Sequence, residues 1–265
     1  MGKIARSFLF VPGDRSDRFE KAAASGAHTM VIDLEDAVGL NAKAEARAAT
    51  EAWLAAGNLC CVRINSAETE WFSDDIAMAA KYNIPVMLPK ADLESLQRAS
   101  RAVPNQTLIA LVETVKGYME LRPMTAVANL SRFAFGSIDF GVESGIEDTA
   151  DTMTVVRTTF VLESCYGGLL PPIDGVSVNI KDEVLAYQDA ARSKQLGFGG
   201  KLCIHPRQVA AVNRAFTPTP EQADWAQRVL KAFAASEGAA VAVDGKMIDK
   251  PVMEQARRIV AELEN

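Results

Sequence analysis

Short apolar runs of four to seven residues recur along the chain, and stretches of mixed, helix-like polarity separate them. The runs fall at 7–11, 29–34, 59–64, 84–89, 107–113, 132–137, 175–178 and 200–204. Helices are predicted at 17–25, 42–56, 73–82, 92–103, 154–166, 182–196 and 207–215. Gly26, Gly57 and Gly197 stop three of them, and the alanine-rich, charged 42–56 segment reads as an exposed helix. Residues 118–128 read as partly helical, with Pro123 interrupting or restarting the turn. Eight apolar strands alternating with helices over about 200 residues predict an α/β fold of the (β/α)8 TIM-barrel type. An open doubly wound sheet is the rival; its dinucleotide-binding version is weakened because no Gly-x-Gly-x-x-Gly follows the first strand.

Polar residues gather where the strands end. Pro12-Gly13, Asp33-Leu34-Glu35-Asp36, Arg63-Ile64-Asn65, Lys90, Glu113, Asp139, Asn179 and His205 all fall at or just past a predicted strand terminus. In a barrel these ends share the face that carries active sites. Two runs stand out. Thr-Leu-Ile-Ala-Leu-Val-Glu-Thr, 107–114, stops on Glu113, and Arg-Phe-Ala-Phe-Gly-Ser-Ile-Asp, 132–139, stops on Asp139. Two buried-type strands that finish on acids suggest a cation held at one end of the sheet.

After residue 216 the pattern changes, which gives a barrel domain over 1–216 and a C-terminal segment over 217–265. Thr217-Pro218-Thr219-Pro220 is a stiff connector. A helix at 221–235 follows, then a hairpin (238–243 and 246–248 around Asp244-Gly245), then a final helix at 252–263. This segment is too small to fold alone and is expected to dock on a barrel, its own or a neighbour's.

Composition narrows the partners. With 265 residues, 49% of them hydrophobic, the chain can bury a large core, and its net charge of −6 argues against nucleic acid as a partner. A phosphorylated small molecule is not excluded, since it needs only a local basic pocket. No run is long and apolar enough to span a membrane, and the N-terminus lacks a signal-peptide pattern. Cys60, Cys61, Cys165 and Cys203 show no metal-site spacing and read as buried, reduced thiols of a cytoplasmic protein.

The ordered set Arg6-Ser-Phe-Leu-Phe-Val-Pro-Gly13, Val31-Ile-Asp-Leu-Glu-Asp-Ala-Val38, Val62-Arg-Ile-Asn65, Leu88-Pro-Lys90, Val112-Glu-Thr114, Phe135-Gly136 to Asp139, Gly199-Gly-Lys-Leu-Cys-Ile-His-Pro206 and Gly245-Lys-Met-Ile-Asp249 resembles the citrate lyase β-subunit-like family. Malyl-CoA and citramalyl-CoA lyases are relatives within the HpcH/HpaI aldolase/citrate lyase and pyruvate/phosphoenolpyruvate barrel superfamily. The resemblance covers nearly the whole chain. It implies a barrel with a small C-terminal lid and a homo-oligomer, trimeric or hexameric. It also implies a Mg2+-dependent lyase, with Mn2+ as a substitute, that cleaves or forms a 3-hydroxyacyl-CoA such as citramalyl-, malyl- or citryl-CoA. The products are an acyl-CoA and a 2-oxo acid.

By the same resemblance Glu113 and Asp139 are the metal-ligating carboxylates and Arg63 grips the oxo-acid carboxylate. Asp249 is the acid/base that a neighbouring subunit's lid brings over the site. Two carboxylates suit Mg2+, which keeps waters and takes few protein ligands, and the guanidinium fork matches a carboxylate bidentately. Asp33, Glu35, Asp36 and Lys90 are read as groups that orient metal waters and Arg63. Plainer readings stand beside these. Glu113 and Asp139 can cap helices, Arg63 can pair with Asp33 or Glu35, and Asp249 can be the N-cap of the last helix. His205 can be a structural hydrogen bond at the rim, and Asp14-Arg15-Ser16 can either hold CoA phosphates or form a solvated loop. Citrate lyase β-subunits often carry an acid just before the metal aspartate; this chain has Ile138 there. The rivals to the lyase are a class II aldolase on free 2-oxo acids and a citrate lyase-type β subunit that is inactive without an acyl-carrier partner.

Overall fold

Strands that are apolar without interruption bury both faces, and a parallel sheet closed on itself and covered by helices provides both environments. The computed structural model, which describes residues 4–149, 151–235 and 241–263, has this form. Its strands are β1 (Ser7–Pro12), β2 (Thr29–Asp33), β3 (Cys61–Arg63), β4 (Val86–Leu88), β5 (Leu108–Val112), β6 (Leu130–Phe135), β7 (Ile173–Asp174) and β8 (Gly200–Cys203). Each pairs in parallel with the next, and β8 returns to β1 through Phe8 opposite Leu202, closing the barrel. Phe8, Val31, Met87, Ile109, Leu111, Ala134 and Leu202 pack together as its core. Residues of the other parity, such as Leu9, Ile32, Val62, Leu108 and Phe133, are buried under the helices.

The helices are α1 (Phe19–Ala23), α2 (Lys43–Ala55), α3 (Phe72–Tyr82), α4 (Leu93–Ala102), α5 (Val115–Met119), α6 (Leu121–Met124), α7 (Ser137–Ser144), α8 (Thr154–Tyr166), α9 (Glu183–Leu196), α10 (Pro206–Phe216), α11 (Pro220–Ala235) and α12 (Lys250–Leu263). Local chemistry sets several boundaries. Asp92 and Ser95 form a capping box on α4, Asp182 caps α9, and Gly197 ends α9 at φ 103°. Among the described residues, no helix is long and apolar enough to cross a membrane.

Several sequence expectations need correction. The sixth strand runs Leu130–Phe135 and stops two residues before Ser137, because Gly136 turns the chain into α7. Asp139 therefore sits in the first turn of a helix, where a carboxylate complements the positive N-terminal end. The seventh strand is Ile173–Asp174, upstream of the 175–178 run. The Asp174 carboxylate is fully buried, held by Arg157 Nε at 2.9 Å and by Ser193, with Lys201 Nζ 3.6 Å away. That anchor takes the chain off the ladder, so Val178 is exposed and Asn179 lies well past the strand end. Finally, 42–56 is not an exposed helix: Lys43, Ala46, Thr50 and Leu54 are buried.

At the opposite end of the barrel Arg132 is buried with no carboxylate partner among the described residues. Its guanidinium donates to the carbonyls of Ala5 (2.8 Å) and Pro171 (2.7 Å), and burial pulls its pKa down to about 9. Cys60, Cys61 and Cys203 are buried free thiols, whereas Cys165 is exposed, against expectation.

The chain divides into two compact units, Ala5–Asn213 and one gathered from Arg214 onward. In the second, α11 and α12 enclose Ala226, Val229, Ile248 and Ala256. Strands β9 (Val241–Val243) and β10 (Lys246–Ile248) form its hairpin, with Asp244 (φ 51°) and Gly245 (φ 75°) in the left-handed turn that the Asp-Gly pair predicts. The stretch 238–240, assigned to the hairpin from sequence, lies outside the described residues.

Candidate active site

The parallel register places β2 and β3 level, with Asp33 opposite Arg63, and β5 and β6 level, with Val112 opposite Phe135. The residues that follow these positions meet at the strand-end face. A cavity of about 260 Å³ there is lined by Asp33, Asp36, Arg63, Glu113, Gly136, Ser137 and Asp139 on its polar side. Phe10, Leu111, Phe135, Ile138, Val176 and Leu202 form much of the remainder. Glu35 and Lys90 stand next to it, joined by an ion pair. Asp249 belongs to the other unit, where its carboxylate accepts from the Val252 amide at 3.2 Å and caps α12.

Arg63 is clamped. Its Nε and Nη2 donate to the two oxygens of Asp33 at 2.7 and 2.6 Å, and its Nη1 lies 3.3 Å from Glu35. Phe10 stacks on the guanidinium at 4.8 Å. Burial works against the Arg63 charge, but Asp33 overrides it and holds the pKa above the ordinary guanidinium value. Asp33 is 1% exposed and also accepts from the amides of Glu35 and Ala37, so its ionised form is fully served. The end of β3 is fixed separately: buried Asp75 accepts from the Asn65 amide (2.9 Å) and from Arg47 Nε (2.7 Å).

Glu113 is in the opposite situation. It is 2% exposed, and its Oε1 accepts only from the Lys90 amide, at 2.9 Å. Burial, with the Glu35 charge adding to it, pushes its pKa up to about 7. The Lys90 amide reaches Glu113 because Lys90 adopts φ 48°. Gly136 is required on the other side. A Cβ there would fall 2.4 Å from Glu113 Cβ and 2.7 Å from its Oε2, so only glycine lets the acid fold over the end of β6 toward α7. Ser137 Oγ, buried beside it, has no hydrogen-bond partner among the described residues. An acid whose ionisation burial makes costly and few donors offset, facing the cavity that Asp139 also lines, fits a hard divalent cation. Among the described residues no cluster of three or more His, Cys, Asp or Glu is placed to hold a metal, so an ion here would take at most two such protein ligands. That number suits Mg2+.

Lys43 escaped the sequence reading. Its buried Nζ donates to the carbonyls of Leu34 and Glu35, both at 2.7 Å, and fixes the turn that carries Glu35 to Arg63 and Lys90. A signal existed, because a lysine in the first turn of a helix opposes the helix dipole and needs a compensating contact. Lys43→Met strands two buried carbonyls and is expected to lower stability by about 2–4 kcal/mol, read by urea unfolding; an unchanged midpoint would exclude this strut. Val176 and Ser137 carried no such signal, since only the displaced end of β7 and the start of α7 bring them to the cavity.

Of the two readings of Asp14-Arg15-Ser16, the geometry fits the solvated loop, with Asp14 and Ser16 exposed. Arg15 is paired with Asp17 and lines neither this cavity nor a second one of about 490 Å³ beside β1 and β8. Arg18, Lys21, His205 and Arg207 line that second cavity, which shares Phe10 and Ile204 with the first. His205 Nδ1 accepts from the Arg207 amide at 3.1 Å.

Comparison with known proteins follows this geometry. Residues 6–206 match the model of the HpcH/HpaI aldolase/citrate lyase family. A (3S)-malyl-CoA thioesterase of Cereibacter sphaeroides is 31% identical, over 98% of this chain and 94% of its own. The mitochondrial citramalyl-CoA lyase of Mus musculus is 30% identical, over 96% of this chain and 85% of its own. The crystal structure of protein CitE from Mycobacterium tuberculosis in complex with magnesium, acetoacetate and coenzyme A superposes with a TM-score of 0.84. It is 32% identical, with 98% of each chain covered.

Proposed function

The chain belongs to the HpcH/HpaI aldolase/citrate lyase family, and from that premise we propose that it is a Mg2+-dependent carbon–carbon lyase of CoA thioesters. Its substrate is a 3-hydroxyacyl-CoA with a carboxylate on the carbinol carbon; its products are an acyl-CoA and a 2-oxo acid. One observation carries this reading: a clamped guanidinium and two carboxylates, one of them poorly satisfied, line a single cavity. Glu113 and Asp139 would hold the ion, which supplies Lewis-acid stabilisation of charge on the substrate oxygen when bound.

The chain's own groups do the rest. Arg63 binds the substrate carboxylate, and Asp33 and Glu35 fix its fork in place. Lys90 orients Glu113 through its amide and neutralises Glu35 through its side chain, while Asp36 lies 3.7 Å from that ammonium. In cleavage the carbinol O–H loses its proton and its electrons become the C=O of the 2-oxo acid. The electrons of the broken C–C bond pass to the thioester α-carbon, which takes up a proton as acyl-CoA. Asp249, exposed just ahead of α12, would be the proton carrier, brought over the site by a neighbouring subunit's lid. Arg18, Lys21 and Arg207, around the adjoining cavity, suit the phosphates of CoA. A homotrimer or hexamer belongs to the same reading, as does a reducing, cytoplasmic setting for the free thiols.

The test is an assay of the purified protein on citramalyl-, malyl- and citryl-CoA with Mg2+ and with a chelator. Release of a 2-oxo acid and an acyl-CoA only when Mg2+ is present is expected. Turnover of 2-oxo-acid aldols without CoA would replace this reading with an aldolase. Activity only after adding an acyl-carrier protein would replace it with a dependent subunit.

A further inference from the structure

Resting on the lyase reading, we infer that the site takes a 2-oxo acid with one carboxylate and an apolar remainder, and discriminates against a dicarboxylic one. The inference comes from the supply of cationic donors. Of the described residues lining the cavity, Arg63 alone is cationic. A guanidinium has five N–H donors. Two are committed, to both oxygens of Asp33, and Nη1 stands in an ion pair 3.3 Å from Glu35, so what remains toward the cavity is the edge formed by one N–H on each of Nη1 and Nη2. That pair forms one fork, enough for one carboxylate.

The neighbouring cations do not add to this supply. Lys90 directs its ammonium to Glu35 and Asp36, and Lys43 spends its own on two carbonyls. Against these stand the carboxylates of Asp33, Asp36, Glu113 and Asp139, which already line the space. A divalent ion offsets Glu113 and Asp139 and leaves no positive charge over for a second substrate carboxylate. Such a group would lie among like charges or against Leu111, Phe135, Val176 and Leu202, and an unpaired buried charge is strongly disfavoured there. The same apolar wall suits a methyl group. A methyl in a hydrophobic pocket is worth about tenfold or more over hydrogen in discrimination. Ile138, 41% exposed at the start of α7, holds a place from which a cation could have reached the cavity.

The experiment compares kcat/KM of the Mg2+-loaded protein for citramalyl-, malyl- and citryl-CoA, and the calorimetric affinity for pyruvate and oxaloacetate. Expected are a kcat/KM for citryl-CoA at least 100-fold below that for citramalyl-CoA, malyl-CoA in between, and pyruvate bound more tightly than oxaloacetate. Ile138→Arg, which adds a donor, is expected to raise the citryl-to-citramalyl ratio at least tenfold. Citryl-CoA turned over within tenfold of citramalyl-CoA, oxaloacetate bound as tightly as pyruvate, or an unmoved ratio in the variant each overturns the inference while leaving the lyase intact. Absence of Mg2+-dependent cleavage of all three thioesters overturns the lyase reading itself, and the inference with it.

Discussion

Glu113→Gln is expected to abolish Mg2+-dependent cleavage, by about 10³-fold or more, and yet to raise the melting temperature of the metal-free protein near pH 8. Both effects come from one cause. Burial and the Glu35 charge lift the Glu113 pKa from 4.5 to about 7. The folded protein therefore binds that proton more tightly than the unfolded chain does, so ionisation costs stability. The cost is absent below about pH 4.5, grows between 4.5 and 7, and is constant above. At about 1.4 kcal/mol per pKa unit the ceiling is roughly 3 kcal/mol, and solvent and neighbouring charges reduce it to about 1–3. Glutamine keeps an oxygen for the Lys90 amide, removes the charge, and forfeits the anionic ligand. In the wild type protons compete with the metal, so apparent Mg2+ affinity falls about tenfold per unit as pH drops below about 7 and levels off above. Calorimetric Mg2+ titrations between pH 5.5 and 8.5 and thermal melts of both proteins measure this. A variant that binds Mg2+ normally, or a metal-free melt lowered by several degrees, would rule the assignment out.

The second large effect is expected at Arg63. Arg63→Ala removes the donor fork for the substrate and leaves the Asp33 carboxyl, 1% exposed, without its partner cation. Breaking a buried pair from one side typically costs about 3–5 kcal/mol, enough to threaten the fold. Arg63→Lys is the cleaner probe. It keeps a charge near Asp33 but cannot serve both Asp33 oxygens and a substrate carboxylate at once. Its stability is expected to fall by no more than about 2 kcal/mol, while kcat/KM drops about 10²- to 10⁴-fold, chiefly through binding of the 2-oxo acid. Urea unfolding and steady-state kinetics separate the two. A lysine variant with near-normal kcat/KM would show that Arg63 is only the partner of Asp33 and Glu35.

Much of this was legible along the chain because a barrel writes itself locally. Strands covered on both faces must be continuously apolar, helices must end at glycine or an acid cap, and both signals survive in a one-dimensional record. The eight runs, the glycine stop at Gly197, the Asp-Gly hairpin turn and the polar residues at the strand ends are of this kind. What the chain could not express is which groups neutralise one another. The run 175–178 looked like a strand because Val176 and Val178 alternate with small residues, but it lies past the strand end, with Val176 lining the cavity and Val178 exposed. Asp139 looked like the end of a strand because Gly136, the residue that breaks it, is held by its contact with Glu113, 23 positions earlier. Lys43 looked like a surface lysine because its acceptors are carbonyls eight and nine residues away. Residue order therefore determined the barrel and the set of acids at its mouth, since both follow from short-range periodicity. Tertiary structure alone decided that Arg63 has a single fork left and that Glu113 holds its proton to about pH 7, because charge balance depends on distances that close only when strands far apart in sequence lie side by side.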